Sequence, residues 1–238
     1  MKKKKEKSWK ELKSYFLVGG ARDGKILEPI GLFLFWLLKG TPLTPNMYTL
    51  SHIVFSILAG YLLSLPSHVW IIVGALLIQW NRILDAIDGA IARYKNQCSI
   101  RGKYIDLVSH GWAAPVYIIG ISVHVFQETQ NLQLLFLGLT ASFFNLIIYI
   151  TKMSHIRAGK KTHLNPTELS TKSWILQKIK YPFLINYDNI TYYLILIGAI
   201  INNFTWIIPI LAILLSVKWI VQFWLLSYFE EDKNNDFF

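Results

Sequence analysis

Four side chains that could bind a cation lie in two short segments of this sequence. Asp85 and Asp88 are three residues apart, and Asp106 and His110 are four residues apart. Residues three or four apart share one face of a helix, so each pair predicts two ligands on the same side. Carboxylates brought together repel one another unless protons or cations relieve the charge. Hard oxygen ligands favour Mg²⁺, Mn²⁺ or Ca²⁺ over softer ions.

Small residues accompany these carboxylates. Gly89 and Ala92 follow the second carboxylate, and Gly102 precedes the third. Their lack of bulk lets a flat or phosphate-bearing ligand approach the backbone. A cation site with such an approach suits a nucleotide diphosphate. A simpler structural interpretation is that Asp88 pairs with Arg93 and that the glycines only aid helix packing.

The elements that must position these side chains are membrane helices. Of the 238 residues, 53% are hydrophobic and 16% are charged, a balance that soluble domains rarely reach. The apolar residues lie in runs of roughly 18–24 residues, long enough for a helix to cross about 30 Å of hydrocarbon. The sequence therefore predicts an all-α polytopic membrane protein with six spans. These predicted spans cover residues 47–65, 69–92, 104–126, 132–150, 190–204 and 205–229.

Three segments make up the predicted organisation. Residues 1–43 form an interfacial segment, residues 44–229 form the six-helix membrane domain, and residues 230–238 form an acidic cytoplasmic tail. At the start of the membrane domain, Thr44 is the predicted N-cap and Pro45 the predicted first helical residue, because each suits that position.

Two amphipathic helices are predicted on the membrane surface before the first span. The first has apolar residues near helical spacing and lysines between them; its apolar residues are Trp9, Leu12, Phe16 and Leu17. Residues 30–38 are intensely apolar but cover only about half of a span, and Gly40 and Pro42 follow them. They predict a second interfacial or partly embedded helix.

The basic residues indicate the orientation in the membrane. Segments 66–68, 127–131 and 201–204 contain no Lys or Arg, whereas the N-terminus and segments 93–103 and 152–180 are rich in them. By the positive-inside rule, both termini and the carboxylate-bearing helix ends are cytoplasmic. If the source is a bacterium, the expected membrane is the inner membrane. This distribution accounts for the net charge of +10, so no nucleic-acid partner is expected.

The spaced residues resemble the signature of the CDP-alcohol phosphotransferase family. They read Asp85-x2-Asp88-Gly89-x2-Ala92-Arg93-x8-Gly102-x3-Asp106-x3-His110. All but the last match that signature, and the spacing is kept throughout. The opening Thr44-Pro45-Asn46 and the six-span layout are also similar to the family.

The resemblance implies a role for each residue. Asp85, Asp88 and Asp106 would hold one or two divalent cations, Mg²⁺ or Mn²⁺, that bridge the pyrophosphate of a CDP-alcohol donor. A hydroxyl acceptor would attack the phosphorus that bears the alcohol, and CMP would leave. The nucleotide pocket would be lined by Gly89, Ala92, Arg93, Gly102, Asn46 and Thr49. CDP-diacylglycerol is the expected donor, and membrane lipid is an expected partner. The expected assembly is a homodimer.

One residue departs from the signature, because His110 stands where the family has a fourth aspartate. The resemblance makes that aspartate the general base and a metal ligand, so His110 and Asp106 are the expected catalytic residues. An imidazole can ligate a metal or abstract a proton, but one nitrogen cannot do both. Loss of activity is therefore a second interpretation of this substitution.

Other functions stay open on the sequence alone. One is transfer from a soluble CDP-alcohol such as CDP-inositol. Another is a catalytically degenerate protein that binds nucleotide-linked lipids. A transporter is disfavoured, because the acids gather at one interface and not at mid-membrane. Two further side chains carry expectations: His52 is expected to form an interhelical hydrogen bond, and Arg82 to contact phosphate or neutralise the acids.

Overall fold

The computed structural model describes residues 13–15, 28–157 and 187–228, and within these ranges it contains helices and no strand. We number the helices of the last two ranges in chain order. They are α1 (Glu28–Leu38), α2 (Pro45–Leu63), α3 (His68–Lys95), α4 (Ile100–Thr129), α5 (Leu132–Arg157), α6 (Tyr187–Ile201) and α7 (Ile207–Tyr228). The predicted all-α class is confirmed for the described part of the chain.

Each predicted span overlaps one of the helices α2 to α7. Among the described helices, four are long and apolar enough to cross a membrane, with candidate spans at Pro45–Leu63, His68–Lys95, Leu132–Thr151 and Ile207–Trp224. The apolar stretch Ile190–Ile201 of α6 is shorter than a full span. Helix α4 has 30 residues, but polar residues such as His110 and His124 dilute its apolar character. The chain is an integral membrane protein, and its six-span count remains a prediction.

Helix α2 packs against both α3 and α4 at the centre of the bundle. Their contact is close where glycines face each other, since a Cβ on Gly120 would collide with the main-chain carbonyl oxygen of Gly60. A Cβ on Gly74 would lie 3.1 Å from the carbonyl oxygen of Ala59. Small residues commonly allow such backbone approach between membrane helices. Helix α5 packs on α4, α7 packs on α5, and α6 packs on α3.

An exposed apolar stripe runs along the outer face of α2. Leu50, Val54, Ile57 and Tyr61 are each at least half exposed, and they recur at helical spacing. A stripe of this kind is unfavourable in water but favourable against lipid. At the start of the same helix, Pro45 is the first helical residue, as predicted, and Thr44 occupies the N-cap position without a side-chain hydrogen bond.

Helix α1 packs on α3 with one face and leaves apolar side chains exposed on the other. Leu32 and Phe35 are buried in a cluster with Ile87 and Ile91 of α3, whereas Phe33 is 55% exposed. The predicted helix at residues 30–38 is therefore present, and its location at the membrane surface remains a prediction. The first predicted amphipathic helix lies outside the described residues, apart from the helical residues 13–15.

Candidate active site

A short turn joins the two helices that carry the spaced residues. Asn96 ends α3 in the left-handed conformation (φ 56°), and Gln97 N donates to Ala92 O at 2.8 Å. Ser99 begins α4 by accepting a hydrogen bond from Gly102 N at 3.0 Å. Both helices are therefore capped within the turn at residues 96–99. This short turn joins the end of α3 to the start of α4, and α2 packs against both helices.

Asp85, Asp106 and His110 form one cluster at this end of the bundle. Nε2 of His110 lies 3.2 Å from Oδ2 of Asp85, and Nδ1 lies 3.4 Å from Oδ1 of Asp106. Nδ1 is also 2.9 Å from the main-chain carbonyl oxygen of Asp106. That carbonyl can only accept, so Nδ1 carries the hydrogen. Nε2 is then the ring nitrogen available to accept a proton or to bind a cation.

The ligand atoms of this cluster suit a divalent cation. One ligand atom from each of Asp85, Asp106 and His110 lies within 4.8 Å of the others, the scale of a coordination shell with metal–oxygen distances of about 2.1 Å. The two carboxylates suit Mg²⁺ and Mn²⁺, whereas an imidazole ligand is more typical of transition metals and so fits Mn²⁺ better than Mg²⁺. A lone pair on Nε2 facing a carboxylate oxygen would be unfavourable, and either a proton on Nε2 or a bound cation relieves that contact.

Asp88 lies beside this cluster and faces another helix. It is buried, and its Oδ2 accepts a hydrogen bond of 2.8 Å from Oγ1 of Thr49 on α2. Residues three apart on a helix differ by about 60° in direction. Asp88 therefore faces α2 while Asp85 faces His110 on α4. The charges of Asp85 and Asp106 are still close enough to act on Asp88. The four predicted ligands are therefore near one another, but Asp88 points toward α2 and the other three form a separate cluster.

A cavity of about 490 Å³ opens next to the carboxylates. All six residues of the predicted nucleotide pocket line it: Asn46, Thr49, Gly89, Ala92, Arg93 and Gly102. Asp88 and Asp106 form part of the same wall, whereas Asp85 and His110 lie outside the lining. The sequence pattern thus brings the predicted pocket residues to a single cavity that reaches two of the predicted metal ligands.

Close contacts shape the cavity wall. A Cβ on Gly102 would lie 3.0 Å from Oδ1 of Asn46, so the start of α4 approaches α2 closely. A Cβ on Gly89 would lie 3.2 Å from Nη1 of Arg93. Nε of Arg93 donates to the carbonyl oxygen of Tyr15 at 2.9 Å. Arg93 therefore links residues 13–15 to the cavity, a contact that the sequence did not predict.

The sequence interpretation missed other residues near the site. Further cavity-lining residues come from the turn and the start of α4, and they include Gln97, Cys98, Ser99, Ile100 and Lys103. Their position between the two halves of the spaced pattern was the signal that could have identified them. Behind His52 there is a buried network of Ser56, Asn81 and Tyr117. Asn81 was visible as a polar residue in an apolar span, whereas nothing marked Tyr117.

Arg82 contacts aromatic rings of α6. Its guanidinium lies 4.8 Å from the ring centroid of Tyr193 and 5.5 Å from that of Tyr192. Nη1 of Arg82 also donates to Oε1 of Gln79 at 2.8 Å. A guanidinium over a ring gains electrostatic attraction, so these contacts join α3 to α6. They give Arg82 a packing role that the sequence did not predict.

The fold and the clustered acids define a helical integral membrane protein with a polar site where two successive helices are joined. The family described as CDP-alcohol phosphatidyltransferase matches residues 42–224, most of the chain and all of the spaced pattern. The protein belongs to this family, and its activity is the transfer of a phosphoalcohol group from a CDP-alcohol in phospholipid synthesis. No protein with a curated description matches the chain.

Proposed function

We propose that this transferase moves a phosphatidyl group from CDP-diacylglycerol to a hydroxyl acceptor and requires Mg²⁺ or Mn²⁺. The observation that carries the proposal is the cavity of about 490 Å³, which joins small and polar lining residues to Asp88 and Asp106. A nucleotide in this cavity would place its diphosphate beside the carboxylates. The hydroxyl acceptor would then approach the same phosphorus from the side of Asp106 and His110.

Apolar exposure at the cavity favours a lipid-linked donor. Ile100 lines the cavity and is 92% exposed, and Tyr104, one turn along α4, is 67% exposed. Exposed apolar residues at the rim of a polar pocket are typical of sites that receive a lipid. Acyl chains could lie along these residues while the nucleotide occupies the cavity. A water-soluble donor would gain nothing from this contact.

The proposed cation ligands are Asp85, Asp88 and Asp106, with His110 as a further ligand or as the general base. A divalent cation, when bound, supplies positive charge that stabilises the charge developing on the diphosphate. The chain's own residues position that charge. Thr49 holds one oxygen of Asp88, and the carbonyl of Asp106 holds Nδ1 of His110.

The proposed reaction exchanges one bond at phosphorus for another. The acceptor oxygen forms a bond to the phosphorus that bears the alcohol, and the bond from that phosphorus to the oxygen of CMP breaks. CMP leaves with the bonding electron pair. The acceptor's proton passes to Nε2 of His110 or to the carboxylate of Asp106 and then to solvent. Nε2 is suited to this because Nδ1 already donates to a carbonyl.

The proposal extends to the arrangement in the membrane. We place all six helices α2 to α7 across the bilayer, with both termini and the cavity on the cytoplasmic side. Basic residues at the cavity end, including Lys95, Arg101 and Lys103, support this orientation. The expected assembly is a homodimer, because the family resemblance implies one.

A second candidate is a catalytically inactive protein that binds nucleotide-linked lipids. One observation favours it: both ring nitrogens of His110 contact acids, at 3.2 Å and 3.4 Å. A ring held in this way by two carboxylates could fill the place of a cation and leave the reaction without a base. The cavity would then still accept the nucleotide.

A CMP-release assay separates these candidates. The purified protein in lipid nanodiscs is given CDP-diacylglycerol or soluble CDP-alcohols, with a panel of alcohols and with Mg²⁺, Mn²⁺ or a chelator. We expect CMP release that requires CDP-diacylglycerol, one alcohol class and a divalent cation. Release only from soluble donors contradicts the lipid donor. Nucleotide-lipid binding without release, restored to turnover by His110→Asp, identifies the inactive binder.

A further inference from the structure

The His110 ring lies against a second imidazole. The ring centroids of His52 on α2 and His110 on α4 are 6.0 Å apart, and the ring planes are within 23° of parallel. His52 is only 7% exposed. The two nitrogens of His110 meet Asp85 and Asp106 at the ring's edges, and His52 lies on one side of the ring plane, offset from its centre.

The backbone that carries His52 is fixed by a buried network across three helices. Nδ2 of Asn81 on α3 lies 3.2 Å from the carbonyl oxygen of His52 and 3.0 Å from Oγ of Ser56. The same nitrogen lies 3.0 Å from Oη of Tyr117 on α4, which donates to Ser56 at 3.0 Å. Asn81, Ser56 and Tyr117 are at most 1% exposed. The position of residue 52 is therefore set by α2, α3 and α4 together.

Hydrogen bonding at Nδ1 does not explain the presence of His52. Nδ1 of His52 is buried, and no group within the described ranges bonds to it. An unpaired buried nitrogen costs about 1–3 kcal/mol, so a histidine kept only for packing would be a poor choice there. What the ring does contact is the face of His110.

An imidazole at position 110 needs this contact more than a carboxylate would. The two oxygens of an aspartate are equivalent, so rotation about its last torsion by half a turn changes nothing. Rotation of a histidine ring exchanges nitrogen for carbon, and its last torsion is only weakly restricted. A flat neighbour disfavours rotations that tilt the ring out of its plane, and the bond from Nδ1 to the carbonyl of Asp106 selects between the two flipped orientations, so together they direct Nε2 toward Asp85.

We infer that His52 is a positioning residue, which holds the plane of the His110 ring so that a histidine can work where the family has an aspartate. This inference rests on the proposed function, in which Nε2 of His110 faces the reaction. It assigns to His52 no contact with donor or acceptor. Its effect should therefore depend on which residue stands at position 110.

The test is a double-mutant cycle of His52→Ala and His110→Asp, measured by CMP release in nanodiscs. In the native background, His52→Ala should lower kcat roughly 10- to 100-fold and leave KM for the donor unchanged. In the His110→Asp background the same change should alter kcat by less than about twofold. His52→Phe, which keeps a flat ring, should restore most of the native kcat. An equal loss in both backgrounds, or no rescue by Phe, overturns the inference.

His124→Ala is the matched control. Like His52, His124 is a buried histidine, and it packs edge-on against Phe204. It is on α4, the helix of His110, but 14 residues away, or roughly 21 Å along the helix. Its removal should lower thermal stability about as much as His52→Ala does. Its effect on kcat should be the same whether residue 110 is His or Asp. Coupling of His124 to position 110 equal to that of His52 would contradict a specific role for the stacked pair.

A spectroscopic readout keeps the inference testable if the native protein releases no CMP, which would refute only the proposed function. The protein is labelled with ¹⁵N and ¹³C on histidine, and the His110 ring signals are assigned from their loss in His110→Asp. In His52→Ala these signals should shift and broaden, because a ring current is lost and the ring samples more orientations. His124→Ala should leave them in place. His110 signals that His52→Ala does not change would overturn the inference.

Discussion

The two ends of the α2–α3–α4 bundle are built differently. At the end away from the spaced acids, α2 and α4 meet backbone to backbone at Gly60 and Gly120, and Gly74 brings α3 close to α2. At the other end, Thr49, Asp88 and Asp106 line a cavity of about 490 Å³. The first end has no room for a methyl group, and the second has room for a ligand.

This difference shows how membrane helices can support a polar cavity. Close packing at the glycine end fixes the helix directions, so the polar end does not need apolar contacts to stay in place. Functional side chains are held best when rigid elements carry them. We expect changes at the polar end to alter turnover and changes at the glycine end to alter stability.

Asp88→Asn should give the largest effect. The amide keeps the size of the side chain and an oxygen for the bond from Thr49, but it removes the negative charge. We expect turnover to fall roughly 1,000-fold with little change in melting temperature. CMP release and thermal unfolding in the same nanodiscs measure both quantities. Glu128→Gln, which neutralises an acid at the far end of α4, is the control, and normal turnover in Asp88→Asn would refute the proposed cation site.

Gly120→Ala should disrupt the close packing of α2 on α4 and lower the stability of the protein. The new methyl group collides with the carbonyl of Gly60, so α2 and α4 must separate, at a cost of about 1–3 kcal/mol. We expect a lower melting temperature, measured by thermal unfolding in detergent. Gly40→Ala is the matched control, because nothing lies within 4 Å of a Cβ there. Equal stability of the two variants would contradict the close approach.

Thr49→Val should have a smaller effect, on the polar end. Valine has nearly the same shape but cannot donate to Oδ2 of Asp88. A hydrogen bond to a charged group contributes about 1.5–3 kcal/mol, so we expect kcat/KM to fall at least about tenfold. Steady-state CMP release measures this. Thr140→Val on the exposed part of α5 is the control, and the prediction is wrong if both variants behave alike.

Gly102→Ala should give the smallest effect. Its methyl group would lie 3.0 Å from Asn46 and 3.1 Å from Ser99, so it narrows the cavity without touching the acids. We expect KM for the donor to rise about fivefold with kcat unchanged. A fall in kcat at unchanged KM would show that this part of the wall does not hold the nucleotide.

Much of this architecture follows from local sequence. The length of the apolar runs predicted where the helices lie. The spacing of small residues and acids identified the cavity wall, because both halves of the pattern are on helices joined by a short turn. Contacts between helices distant in sequence were harder to predict. The stack of His52 on His110 and the bond from Thr49 to Asp88 depend on how α2 is rotated about its axis, and hydropathy does not determine that rotation.

The turn at residues 96–99 has a consequence for the evolution of chain length. Asn96 and Gln97 complete the end of α3, and Ser99 completes the start of α4, so Cys98 alone belongs to neither cap. The turn has no spare residue that could accommodate an insertion or deletion. Such a change would therefore alter how Asp106 faces Asp85. Related sequences should therefore vary freely in their tails while this spacer keeps a constant number of residues.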